Sequence, residues 1–324
     1  MTVYFKKALK ILLPLFFSFF LIWWVAKDLT HNEIEISKKA FFNLNFNFLF
    51  ISIFIGLLSH LLRAERWKYM LESMGYSTNF SIRYHAVMIN YVMNLFIPRL
   101  GELARCTAIS KQEKVPLNKV LGTIILERII DFFILILMIL SVLFFERDKI
   151  WNLINKSIFS KILENKLNII LSIIIILSFS LIGLYVIFKS ENKLMNKFSK
   201  FLSGVKDGII SVFNIKYQFL FWLQSFLIWG LYLLGTYFCF LALPETKEVP
   251  FTGIVSSFVL AGIASIATQG GLGAYPIAFG TILKQYGVAY VLGWTFGWIS
   301  WISQTLLILT LGSISLYKVT NFKK

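Results

Sequence analysis

The sequence predicts an all-α membrane protein, a polytopic helical bundle of about six full spans plus two re-entrant hairpins, forming one integral membrane domain over residues 1–324. Composition is the first observation behind this. Hydrophobic residues make up 57% of the chain and charged residues only 15%, with a mean hydropathy of +0.74, a balance soluble domains rarely reach. The second is segmentation. Apolar runs fall at roughly 11–26, 46–62, 84–97, 117–145, 167–188, 218–243, 251–267, 274–283 and 288–317, and a crossing needs about 20 apolar residues. The third is what lies between them. The longest polar stretches, around 147–166 and 190–214, are loop-sized and leave no room for a soluble catalytic domain.

Taken in order, the run 11–26 follows Lys6, Lys7 and Lys10 and ends in Trp23, Trp24 and Lys27. It lacks a small-residue cleavage site and reads as a retained first span, not a secretory signal. The second span, 46–62, ends at Arg63, Arg66 and Trp67, residue types that favour the membrane interface. They serve there either as anchors or in headgroup recruitment. The run 84–97 is too short to cross comfortably and continues into Ile97-Pro98-Arg99-Leu100-Gly101-Glu102. The run 251–267 likewise continues into Thr268-Gln269-Gly270-Gly271-Leu272-Gly273. Proline removes a backbone donor and glycine permits a sharp bend. In lipid, such breaks are tolerated only when buried in protein or lining a wet cavity. Segments 84–110 and 251–283 therefore read as hairpins, and 117–145, 167–188, 218–243 and 288–317 as the remaining spans.

With the N-terminus inside, the inner segments hold 21 basic residues and the outer segments nine. This positive-inside bias predicts cytoplasmic N- and C-termini, in the plasma (inner) membrane. The hairpins then enter from opposite sides, the pattern of an inverted repeat, and transporters often place their substrate site where two broken helices meet. Close helix packing alone is the other reading of the glycine-rich breaks. The stretch 193–209 places Leu194, Phe198, Phe201, Val205 and Ile209 on one helical stripe opposite Lys193, Lys197 and Lys200. It should lie flat on the inner leaflet.

Glu127, Arg128 and Asp131 sit inside the run 117–145, where each such group raises the insertion free energy by roughly 2.5 to 3.5 kcal/mol. Glu127 and Asp131 share a helix face at i,i+4, with Arg128 offered as counter-charge. The cluster is either a self-neutralising helix glue or a buried polar site on a transport path. Arg99 and Arg105 flank the first break, and a planar guanidinium suits bidentate contact with phosphate. Interfacial snorkelling is the alternative. Glu102, a turn from each, would hold those side chains or compete with the phosphate. Asn94, Gln269, Gly270, Gly271 and Gly273, at the two breaks, complete the candidate substrate-binding set with Arg63 and Arg66.

Other chemistry finds little support. Cys106 and Cys239 are far apart, and His31, His60 and His85 are scattered, so neither a disulfide framework nor a metal centre is expected. No P-loop motif is present, and no cofactor is expected. The net charge of +16 fits a negatively charged bilayer better than nucleic acid, for which no folded basic module is present.

Four motifs occur in order: Arg63-Ala-Glu-Arg-Trp67, Asn94-Leu-Phe-Ile-Pro-Arg-Leu-Gly-Glu-Leu-Ala-Arg105, Leu121-Gly-Thr-Ile-Ile-Leu-Glu-Arg-Ile-Ile-Asp131 and Gly270-Gly-Leu-Gly273. Together they resemble the flippase-like family that includes the transmembrane region of lysylphosphatidylglycerol synthases. The resemblance covers most of the chain and implies a free-standing membrane module without the soluble aminoacyl-transferring domain of some relatives. It implies an eight-helix or similar bundle with a lipid-translocating role, and marks Arg99, Glu102, Arg105, Glu127, Arg128 and Asp131 as a shared polar set. Relatives often carry a proline before the Gly-Gly and an acid after the Gly-Leu-Gly, where this chain has Gln269 and Pro276. The expected ligand is a membrane phospholipid, anionic in charge. Three function classes follow in order: a flippase- or scramblase-like translocator of phospholipid or of a lipid-linked headgroup, a non-transporting subunit beside a separate synthase or envelope-biogenesis partner, and a membrane-embedded lipid-modifying transferase.

Overall fold

The structure is a computed structural model that describes residues 30–97, 99–149 and 193–321, with Trp23 and Lys27. All regular structure in those residues is helical. The expected spans at 11–26 and 167–188 lie outside the described residues. The helices are α1 (His31–Phe42), α2 (Phe46–Glu72), α3 (Phe80–Phe96), α4 (Leu100–Glu113), α5 (Leu117–Phe145), α6 (Lys193–Ile210), α7 (Gln218–Ala242), α8 (Phe251–Ala267), α9 (Ala274–Leu283) and α10 (Tyr290–Asn321). Among the described residues, four helices are long and apolar enough to cross a bilayer: α2, α5, α7 and α10.

Local chemistry sets the helix starts. Thr30 and Glu33 form a capping box on α1, with the Thr30 amide donating to Glu33 Oε2 at 2.8 Å and the Glu33 amide to Thr30 Oγ1 at 3.3 Å. Asn45 caps α2 and Asn79 caps α3 through their side-chain oxygens, each meeting an amide that the first turn leaves unpaired.

Both expected breaks are present. Ile97 is extended (φ −137°, ψ 119°), as a residue before proline prefers, and Arg99 is left-handed (φ 62°) ahead of α4. Asn94 closes this first tip, its Oδ1 accepting from the Gly101 amide at 2.8 Å. A Cβ at Gly101 would lie 2.7 Å from that same Oδ1, so the closure requires glycine. In the second tip Gly270, Gly271 and Gly273 all have φ between 61° and 81°, a region open to glycine without strain.

The hairpins enter the bundle from opposite ends. The base of α3–α4, where the Asn79 amide donates to Glu113 Oε1 at 2.8 Å, lies by the start of α5 and the end of α2. There Arg83 bonds Ala64 O and Glu65, and Trp67 bonds Thr123. The base of α8–α9 lies by the end of α5, where Lys149 pairs with Glu146 at 3.1 Å and sits 3.9 Å over the ring of Tyr286, just beyond α9. Helix α10 runs past both. Tyr290 and Gly293 abut Gly280, Gly297 abuts Pro276, Trp301 Nε1 donates to Gly270 O at 2.6 Å, Gly312 abuts Val92, and Ser315 Oγ bonds His85 Nδ1 at 3.0 Å. The hairpins thus line one flank of α10 tip to tip, and a Cβ on Gly270 would lie 3.2 Å from Leu95 of the first tip.

Among the described residues, two large apolar cores fill the bundle. One gathers Trp67, Met70, Ile109, Ile130 and Phe221 from α2, α4, α5 and α7. The other centres on Phe240, Phe279 and Phe296, with ring centroids 4.4 to 6.1 Å apart, joining α7, α9 and α10. Helix α6 crosses the start of α5 closely. A Cβ on Gly208 would lie 2.6 Å from Gly122 Cα, and Gly204 abuts Asn118. This helix is therefore packed closely against the start of α5.

Candidate functional site

Beside the first core, helices α2, α4, α5 and α7 enclose a cluster of charged side chains at mid-depth. Asp131 is 14 residues from either end of α5, or about 21 Å at 1.5 Å per residue. Five members are nearly shut off from solvent: Arg63 (5% exposed), Arg66 (0%), Arg105 (2%), Glu127 (2%) and Asp131 (8%).

Arg63 spans both carboxylates. Its Nη1 donates to Glu127 Oε1, and to Asp131 Oδ2 at 2.8 Å, while its Nε donates to Tyr232 Oη at 3.3 Å. Arg66 reaches Asp131 Oδ1 at 3.3 Å, Ser225 Oγ at 3.2 Å and Glu127 Oε1 at 3.6 Å. Arg105 Nη2 lies 3.0 Å from Glu127 Oε2. The Arg105 guanidinium also stacks 3.7 Å from the Trp67 ring centroid, a cation–π contact that is strongest when desolvated. Trp67 is fixed in turn by donating to Thr123 Oγ1 at 2.9 Å. Trp229 Nε1 donates to Asp131 Oδ1 at 3.4 Å.

A family model described as the lysylphosphatidylglycerol synthase TM region matches residues 11–312. The chain belongs to that family. It is also similar to the UPF0104 membrane protein MJ1595 of Methanocaldococcus jannaschii, 27% identical over 96 residues, a stretch covering 29% of this chain and 29% of that protein. No solved structure matches. The four motifs that carry the resemblance are thus placed in an integral, multi-pass membrane protein of the lysylphosphatidylglycerol synthase TM family.

Within this family member the ion pairing differs from the sequence expectation in three respects. Arg128 is not the counter-charge of Glu127 and Asp131. It is largely exposed and pairs with Glu102 at 3.0 Å, because adjacent helix positions point about 100° apart. Arg63 and Arg66 are not interfacial anchors, since α2 continues to Glu72 and carries them into the interior. With Arg105 also buried, three of the 21 residues assigned to the inner face belong to the cluster. Nor does Glu102 hold Arg105. Glu102 Oε1 accepts from Arg128 and, at 3.4 Å, from Asn94 Nδ2.

The candidate residues thus separate into groups. Arg63, Arg66, Arg105, Glu127 and Asp131 form the buried cluster, Asn94, Glu102 and Arg128 form a second group at the first tip, and Arg99 is exposed. Gly270, Gly271 and Gly273, with Gln269 in the same turn, shape the second tip. Sequence reasoning missed the α7 contribution of Ser225, Trp229 and Tyr232. Their spacing of four and three residues along an apolar run was the available signal, since it aligns hydrogen-bonding groups on one helix face. Tyr91 extends this polar wall through a 3.2 Å Oη–Oη contact with Tyr232, and packs in a tilted arrangement against His60 with centroids 4.6 Å apart.

Proposed function

We propose that the protein translocates a membrane phospholipid and that the buried cluster receives its anionic headgroup. The charge balance of the site carries this reading. Three arginines face two carboxylates, so the enclosed cluster holds a net charge of +1. Buried charge left uncompensated is strongly unfavourable, and a phosphodiester anion would neutralise it. The donors fit. Nε of Arg66 and Nε of Arg105 are buried without a hydrogen-bond partner, and guanidinium N–H groups grip phosphate oxygens well. The mid-depth position, between helices with broken partners on either side, is where transporters commonly bind substrate.

Glu127 and Asp131, the acids available for a transferase reaction, are both engaged by arginines, which favours the transport reading over an enzymatic one. The excess of basic residues on one side of the membrane favours a plasma-membrane orientation with both termini cytoplasmic.

The experiment is exchange of fluorescent anionic and zwitterionic phospholipids between leaflets of liposomes containing the purified protein, read by chemical quenching of the outer leaflet. The expected result is rapid loss of the protected anionic pool, absent with an Arg105→Gln protein that is monodisperse and helical. No movement of any lipid by folded wild-type protein would overturn the proposal.

A further inference from the structure

The start of α10 holds a second feature that the arginine cluster does not use. Between α1 and α10 lies a groove of about 260 Å³. Its walls are apolar, formed by Phe41 and Phe42 of α1 and Trp294, Trp298 and Ile302 of α10, with Lys38 at its edge. A hydrogen bond of 2.9 Å from Thr295 Oγ1 to Ser37 Oγ ties the two helices together beneath it.

The groove sits at the membrane–water boundary. Helix α10 is long and apolar enough to cross the bilayer, and tryptophans near the end of such a helix mark the headgroup level. Helix α1 joins charged and apolar residues, exposing Lys38 and Lys39 on one hand and Phe41 (48%) and Phe42 (81%) on the other, the character of a helix lying in that interface. Lys38 has no carboxylate partner among the described residues. Of the acids of α1, Glu33 is engaged in the capping box and Glu35 lies 3.9 Å from His31. A cation with no carboxylate among the described residues, beside an apolar slot at headgroup depth, is complementary to one class of molecule, a lipid carrying an acyl chain and a phosphate.

We propose that this groove is a lateral binding site for an anionic glycerophospholipid, its acyl chain against Trp294 and Trp298 and its phosphate on Lys38. The groove also connects with the interior. Trp294, Trp298 and Trp301 form an edge-to-face ladder with centroids 6.1 and 5.7 Å apart, and Trp301 Nε1 holds Gly270 O. An acyl chain lodged on Trp298 therefore bears, through Trp301, on the second tip where it meets Leu95. The site stands on its own geometry, whether or not the arginine cluster moves lipid.

The test is photo-crosslinking in vesicles doped with phosphatidylglycerol or phosphatidylcholine bearing a diazirine on the acyl chain, with adducts mapped by peptide mass spectrometry. Phe144 and Phe219, 80% and 76% exposed on spanning helices, report ordinary contact with bulk lipid. Labelling of the Trp294–Ile302 stretch by the phosphatidylglycerol probe should saturate with probe fraction while labelling at Phe144 rises in proportion. Lys38→Gln should weaken groove labelling about fivefold, the worth of one basic residue near the surface. Ile302→Trp, which fills the groove, should abolish groove labelling and spare Phe144. Labelling that rises linearly like the reference positions, labelling indifferent to headgroup and to Lys38, or none at all would each overturn the proposal.

Discussion

Glu127→Gln removes a single negative charge from the site and keeps the side chain's shape, so it isolates the electrostatic term. The carboxylate faces Arg63, Arg66 at 3.6 Å and Arg105 at 3.0 Å, and only 2% of the residue is exposed. The net charge of the cluster would rise from +1 to +2. Removing one partner of a buried ion pair destabilises by about 3–5 kcal/mol. At about 2 °C per kcal/mol for a long chain, the apparent Tm should fall by about 6–10 °C. Cys106 and Cys239 are both buried, so thermal unfolding in detergent can be followed by their reaction with a thiol-specific dye. Adding Arg105→Gln brings the net charge back to +1 and should recover part of the loss, a coupling of about 1–3 kcal/mol. A Glu127→Gln protein melting within about 2 °C of wild type, the shift of one kcal/mol, would refute the charge accounting on which the site rests.

Trp67→Leu removes the ring under Arg105 and the bond to Thr123. It should lower stability by about 2–3 kcal/mol, and Trp67→Phe, which keeps a ring, should lose less in the same thiol-reactivity assay. Gly208→Leu drives a side chain into Gly122 Cα, and overpacking of this kind costs about 1–3 kcal/mol. Faster proteolysis within 201–210 should report α6 leaving α5. The third concerns pH. The Thr30 amide, and then the Thr30 hydroxyl, hold the Glu33 carboxyl below its usual 4.5, so its contribution to α1 is fully present above 4.5 and is lost as pH falls through the lower folded value. Amide exchange over residues 31–36 should be slower in wild type than in Glu33→Gln at pH 7, and the gap should close in acid. A gap that persists in acid would remove the carboxylate from the cap.

What the sequence made legible follows from the range over which each signal acts. Spans and breaks are local. Pro98 and the run Gly270 to Gly273 dictate backbone conformation within a few residues, and both hairpins are where the sequence places them. The partners of a charge are set by tertiary packing, which one sequence does not encode in its spacing. Glu127 and Asp131 were recognisable as buried because an apolar run surrounds them, but their partners come from α2 and α4, 22 to 68 residues away. Arg63 and Arg66 were misplaced because the apolar run thins at residue 62, which reads as a membrane edge. Helix α2 in fact continues through Glu72 with Ala64, Trp67, Met70 and Leu71 buried, and the tertiary core supplies what hydropathy lacks.

The distribution of the arginines between rigid and broken helices bears on how an anion could be exchanged. Arg63 and Arg66 project from α2, a full-length helix packed along α7, whereas Arg105 projects from α4, an arm of the first hairpin. Glu127 faces all three. If Arg105 turns to a phosphate, as the proposed function requires, Glu127 keeps Arg63 and Arg66, and Asp131 keeps the same two. Neither carboxylate is stranded in a dry interior, the outcome that makes breaking a buried ion pair so unfavourable. A phosphate taking Arg63 or Arg66 would instead remove a partner that both acids share and leave Asp131 with a single arginine. Arg105 is therefore the guanidinium of the cluster whose change of partner costs least electrostatically, and it stands on the hairpin arm that follows the break at Ile97 and Arg99.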